Sequence, residues 1–265
     1  MSCSRWRVGE HFLPEASAGT RSLGAPVDQA SGLRKIFDQL LLSWGLVLQP
    51  TARSAAHAEA LAARARRLAA HAGATLLIDA ARSQVAIALG LRLRYDLEHA
   101  LAGDCDIAEA CVAASPSLWV LPAARALDRA GSDERHAVRV ASAMQSVAAD
   151  MRRAILILPA ARVSWIRHLP SEMRPRQALI PVQHAADASA AVLTAIRQAS
   201  EAEIDTFRLL FLGMGEAAAG RLLSGMAAIA QRHFGAILLA AEPVPEAEPG
   251  SRRRHFRHRL VESVF

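Results

Sequence analysis

Lysine is nearly missing from this chain. Of its 31 Lys and Arg residues, only Lys35 is a lysine. A phosphate-binding P-loop needs a lysine behind a glycine-rich turn to reach the β- and γ-phosphates. Lys35 lies in Gly32-Leu33-Arg34-Lys35-Ile36, with no such turn before it, so a working Walker A motif is excluded. Cysteine is scarce as well: Cys3, Cys105 and Cys111 are odd in number and form no CxxC pair. That excludes a disulfide scaffold and a zinc ribbon and fits a reducing cytosol. No apolar run reaches the roughly 18 residues of a membrane span. The stretch 1–26 carries charges, Pro and Gly without an apolar core, so no signal peptide is expected.

What is present suits one sizeable folded domain. The 265 residues are 52% apolar and 21% charged, enough to bury a large core. Net charge is +6, but residues 251–265 hold five arginines and one glutamate, which leaves +2 for the other 250 residues. The basic balance is therefore largely a property of the tail, and no nucleic-acid face runs over the domain. Arg252, Arg253, Arg254 and Arg257 form a surface able to touch acidic partners, nucleic acid or membrane. A solvated, charged helix end is the preferred reading of the same residues. Phe256, Leu260 and Val264 share a helical stripe there, which packing against the sheet explains better than a short interfacial helix.

The order of segments predicts an α/β fold: a mostly parallel, twisted sheet of about seven strands with helices on both faces. Short apolar strands are expected at 45–49, 75–79, 118–121, 154–158, 178–182, 207–212 and 236–241. Helices are expected at 28–42, 54–71, 82–89, 133–150, 187–200 and 216–233, with short helices broken at Gly103 across 96–113. Pro181 suggests an edge strand or a strand end. The chain divides into a flexible arm (1–26), an N-terminal helix (27–43), the α/β domain (44–245) and a basic C-terminal segment (246–265).

Sheets of this kind bind ligands beyond the carboxyl ends of their strands. There the sequence offers little chemistry. Gln49-Pro50-Thr51-Ala52-Arg53-Ser54 follows the first strand without a glycine to wrap a phosphate. Asp79 ends the second strand and reads as a cap or loop anchor. Asp187 is the other carboxylate in these stretches, and His184, a lone histidine with no visible carboxylate or nucleophile partner, reads as structural.

Several stretches resemble the MinD/ParA class of dimerising ATPases, which has the P-loop NTPase fold. They are Leu76-Leu77-Ile78-Asp79-Ala80, Gly90-Leu91-Arg92, Tyr95 through Gly103 and Leu118-Trp119-Val120-Leu121-Pro122-Ala123. Within the class the chain is most similar to the flagellar-number regulator FlhG, also called FleN. Asp28-Gln29-Ala30-Ser31-Gly32-Leu33-Arg34 matches that branch's DQAxxLR segment. Phe207 to Leu210, Glu216-Ala217 with Gly220, and Phe234-Gly235 resemble its late strand and helix. The resemblance spans roughly residues 28–262.

The departures from the class fall on its ATP chemistry. The deviant Walker A (KGGxGK[ST]) is replaced by Gln49, Pro50 and the residues up to Ser54. The second Asp of switch I is Ala81, Asp79 being retained. The Mg²⁺-holding Asp of Walker B is Pro159, and Leu212 or Gly213 stands where an adenine-reading Asn belongs. The resemblance thus implies a bacterial pseudo-ATPase, not an enzyme, with no cofactor where the family uses ATP and Mg²⁺. It implies a regulator of flagellum number, placement and biogenesis that acts by protein contact. The partner so implied is the signal-recognition-particle-type GTPase FlhF, activated through Asp28, Gln29, Ala30, Leu33 and Arg34. The resemblance implies that Gln29 orients a water or phosphate in trans and that Leu33 with Phe37 anchors the helix in a groove, whereas spacing alone favours a helix capped by Asp28 that packs on the sheet. Basal-body or regulatory proteins are further implied partners. The implied place is the cytoplasm, with a peripheral site at the inner membrane or cell pole. Membrane contact is weak, no specific nucleic acid is bound, and the chain is a monomer if dimerisation needs ATP. Two alternatives stand beside this reading. One is an active or nucleotide-binding MinD/ParA-type ATPase in cell division, partition or secretion positioning. The other is a membrane or nucleic-acid adaptor using the Arg-rich tail.

Overall fold

The computed structural model describes residues 42–50, 55–82, 84–183 and 188–240. The expected arm, the DQAxxLR helix, Ser54, His184, Asp187 and the Arg-rich tail lie outside these residues. The elements run β1 (Ser43–Gln49), α1 (Ala55–Ala72), β2 (Thr75–Asp79), α2 (Gln84–Ala88), α3 (Leu97–Ala102), α4 (Ile107–Ala110), β3 (Val112–Ser115) and β4 (Leu118–Pro122). They continue with α5 (Ala124–Ala130), α6 (Glu134–Ala148), β5 (Arg153–Pro159), β6 (Gln177–Gln183), α7 (Ala188–Ser200), β7 (Thr206–Leu212), α8 (Glu216–Phe234) and β8 (Ile237–Ala240). Two 3₁₀ segments, Ala160–His168 and Ser171–Met173, lie between β5 and β6.

The strands form one eight-stranded sheet in the order β3-β4-β2-β5-β1-β6-β7-β8. Every pairing is parallel except β3 with β4. The interior strands are continuous apolar runs because both of their faces are covered. On one face Leu46, Leu48, Ile78, Leu156, Leu158 and Phe207 meet Val140 and Met144 of α6, Ile196 of α7 and Trp165 of the longer 3₁₀ segment. On the other, Val47, Leu77, Ile155 and Ile157 meet Ala58, Leu61, Ala62, Ala65 and Ala69 of α1. The small alanines let the α1 backbone lie close to the sheet, so dispersion contacts compensate for modest area per side chain.

The expected helices begin and end where local chemistry directs. Asp133 accepts from the amides of Arg135 and His136 and starts α6. Gly103, at φ 85°, closes α3 in the left-handed conformation that costs glycine nothing. The seven expected strands are all present, and among the described residues an eighth joins them: Val112–Ser115, expected to be helical in part, folds back on β4 through Pro116-Ser117. A four-residue strand without alternation takes its identity from its partner, and sequence periodicity does not show it. Of the two readings of Pro181, an edge strand or a strand end, the edge is ruled out, since β6 lies between β1 and β7. The β1 register covers only Ala178 and Leu179, so the proline falls past that ladder, near the strand's carboxyl end, where its missing N–H is tolerated. Ala124–Ala130 forms a further helix outside the expected set.

Phe207 is fully buried whereas Ile87 is 70% exposed, so the two test where stability resides. Phe207→Ala is expected to cost about 3–5 kcal/mol in urea unfolding, and Ile87→Ala less than about 0.5 kcal/mol.

Candidate functional site

β1 occupies the middle of the sheet, and connections from it and its neighbour β5 leave to opposite faces. The chain after β1 enters α1 on one face, while the chain after β5 enters the 3₁₀ segment whose Val163, Trp165 and Ile166 pack on the other. This divergence opens a crevice at the carboxyl ends. Gln49 pairs in register with Pro159, and Asp79 with Ile157. The structure therefore brings Gln49, Asp79 and Pro159 to adjacent strand ends, with Pro50 and Ala81 following directly. Ser54, Asp28, Gln29, Ala30, Leu33, Arg34, Arg252, Arg253, Arg254 and Arg257 lie outside the described residues.

Asp79 is fully buried. Its Oδ1 accepts from the Ala81 N–H at 2.9 Å and its Oδ2 from the Val85 N–H at 3.2 Å. The carboxylate thus ties the end of β2 to α2 across a turn in which Arg82 takes φ 60°. Gln49 is 6% exposed, and its amide nitrogen finds no acceptor among the described residues. Pro159 ends β5 with a hydrocarbon side chain that offers no ligand atom. These donors do not fit a magnesium-bound triphosphate. Among the described residues, one amide and one carboxylate already bonded to two backbone N–H groups supply neither a cation cradle nor the counter-charge that phosphates require. Among the described residues no group of three or more His, Cys, Asp or Glu is placed to hold a metal. A hollow of about 350 Å³, lined by Trp44, Leu68 and Leu179, lies at the opposite, amino ends of the strands and away from this crevice.

Sequence reasoning missed His57. It sits on the third residue of α1, is 4% exposed, and burial pushes its imidazole below the usual 6.5. The only signal was a histidine on the apolar stripe of an alanine-rich helix. It also missed that Asp96, with Tyr95, His99 and Arg125, closes a second cleft at the end of β4. No helix among the described residues is long and apolar enough to cross a membrane.

No protein-family model matches the sequence, and no curated protein is similar to it by sequence. Solved structures are similar in fold. The MinD cell division protein of Aquifex aeolicus is 18% identical, with 77% of this chain and 83% of that chain covered at a TM-score of 0.53. Cobyrinic acid a,c-diamide synthase from Mycobacterium smegmatis is 17% identical over 79% and 89%, at 0.56. Apo McdA from Cyanothece is 13% identical over 78% and 87%, at 0.55.

His57 makes folding pH-dependent. Its neutral form is favoured in the folded state, so its contribution is complete above about pH 6.5 and is lost as pH falls below that value toward the lowered folded pKa. Urea unfolding at pH 7.5 and 5.5 is expected to show lower stability at the acid value, and His57→Gln is expected to flatten the difference. The chain thus carries the mostly parallel, MinD/ParA-like α/β fold, with a strand-end crevice whose donors differ from those of a phosphate site.

Proposed function

We propose that this protein is a MinD/ParA-fold regulator of the FlhG type that works by protein contact, its ATP chemistry lost. One observation carries the reading. The ends of β1, β2 and β5 keep the arrangement in which such a sheet holds its ligand, yet they present Gln49, an already bonded Asp79 and Pro159. Each missing phosphate or metal contact removes several kcal/mol of transition-state stabilisation, on the order of 3 kcal/mol apiece, so their joint loss leaves hydrolysis without a route. With the domain's own switch gone, output passes to the segment ahead of β1. There Asp28, Gln29, Ala30, Leu33 and Arg34 contact an FlhF-type GTPase, Gln29 orienting water or phosphate in its site and Leu33 anchoring the contact. The flagellum is then the system regulated, and the cytoplasmic face of the cell pole or inner membrane is the place of action.

Two measurements check this. Calorimetry with Mg-ATP is expected to give no binding tighter than about millimolar; a micromolar dissociation constant, or turnover by the purified chain, overturns the loss of ATP chemistry. The full chain, without ATP, is expected to stimulate single-turnover GTP hydrolysis by an FlhF-type GTPase. Gln29→Ala should abolish most of that stimulation with binding retained, and Leu33→Ala should weaken binding by roughly 1–3 kcal/mol. Full stimulation by the Gln29→Ala protein removes the role assigned to that residue.

A further inference from the structure

We infer that the cleft at the carboxyl end of β4 is a binding site for a phosphate group, separate from the β1–β5 crevice. The cleft has a volume of about 600 Å³, and its polar lining is Arg82, Arg94, Arg125, Tyr95 and His99 together with Asp96 and Asp128. β4 stands three strands from β1 in the sheet, roughly 14 Å away at the usual strand spacing.

The carboxylates around the cleft are already engaged. Asp96 is 8% exposed and is bonded to backbone: Oδ1 accepts from the N–H groups of Glu98 at 3.0 Å and Ala126 at 3.4 Å, and Oδ2 from Arg125 at 3.3 Å. Asp128 pairs with Arg162 at 2.9 Å, and Glu98 with Arg129 at 2.7 Å and His136 at 2.8 Å. Arg82, Arg94 and Arg125 form no ion pair among the described residues. Asp96 and Asp128 also line the cleft, so its three guanidiniums outnumber its carboxylates by one, and the two acids are held by backbone N–H groups and by Arg162.

The imidazole sharpens the chemistry. The Asp96 backbone N–H donates to His99 Nδ1 at 3.0 Å, so Nδ1 is an acceptor and the neutral ring carries its proton on Nε2. That Nε2 faces Arg125 Nη1 at 3.4 Å. Two donors are thus turned toward one another, an arrangement that a shared oxyanion oxygen satisfies and that no side chain here does. The other pieces are held in place beforehand. The Arg94 guanidinium lies over the Tyr95 ring at 4.9 Å, and the Tyr95 and His99 rings meet edge-on at 5.8 Å. Three guanidinium forks, from the turn after β2, from the loop before α3 and from α5, line one cleft with an imidazole N–H from α3, and such a set suits the tetrahedral oxygens of a phosphate better than the two coplanar oxygens of a carboxylate. A phosphate monoester of a small molecule and a lipid phosphate headgroup share this chemistry.

The test uses the full chain at constant ionic strength. Inorganic phosphate, O-phosphoserine and vesicles containing phosphatidic acid are the three probes, read by calorimetry, thermal melting and flotation. Phosphate or phosphoserine is expected to bind and to raise the melting temperature. Arg125→Gln and Arg94→Gln, each truncating a solvent-facing guanidinium, are expected to weaken binding about tenfold or more. Arg221→Gln, on the exposed side of α8, should leave it unchanged. Binding confined to the vesicles and lost in the same two variants assigns the phosphate to a lipid. Absence of binding to all three probes overturns the site. So does equal binding by the Arg125, Arg94 and Arg221 variants, which would mark general charge attraction.

Discussion

The structure depends on the parallel ladder between β1 and β5. Seven residues, Ser43 to Gln49, pair one for one with Arg153 to Pro159 in the interior of the sheet. Interior position leaves no free edge, so the side chains alternate into two separate cores, Leu46 and Leu48 to one and Val47 to the other. Two apolar faces must each be covered, and the coverings come from segments that leave the paired strands in opposite directions. The crevice at the strand ends follows from that divergence, whatever side chains happen to line it.

Those side chains give the crevice an unusual character. Among the described residues, the end of β2 closes on its own turn. Asp79 is the clearest instance: a buried carboxylate would be costly to leave charged, and two backbone N–H groups at 2.9 and 3.2 Å compensate for its desolvation. The interaction that joins β2 to α2 is also the one that occupies the acid. Positive charge is instead left uncommitted at β4, where guanidiniums gather around carboxylates that backbone and other arginines already hold.

The resemblance to the MinD/ParA class and the fold agree on the sheet and on the succession of strand and helix. Their agreement reaches the fold alone. The proposed regulation through the segment at 28–34, which lies outside the described residues, draws on motif spacing and on the side chains found at Gln49, Asp79 and Pro159.

Much of the fold was legible because interior parallel strands are continuous apolar runs, and Leu76-Leu77-Ile78 or Ile155-Leu156-Ile157-Leu158 admits few other readings. The lack of glycine and lysine after β1 was equally local, since a phosphate loop is a contiguous device, and Asp79 was already readable as a loop anchor. What the sequence could not carry was anything set by distant partners. Val112–Ser115 became a strand because β4 was there to pair with it. Pro181 proved compatible with an interior strand because the β1 ladder ends before it. Asp96 joined α3 to α5 across 29 residues, and His99 met Arg125 across 26, although neither spacing has a period. Local propensity and composition fix which segments are strands and helices; only tertiary packing decides which side chains, far apart along the chain, face each other across a cleft.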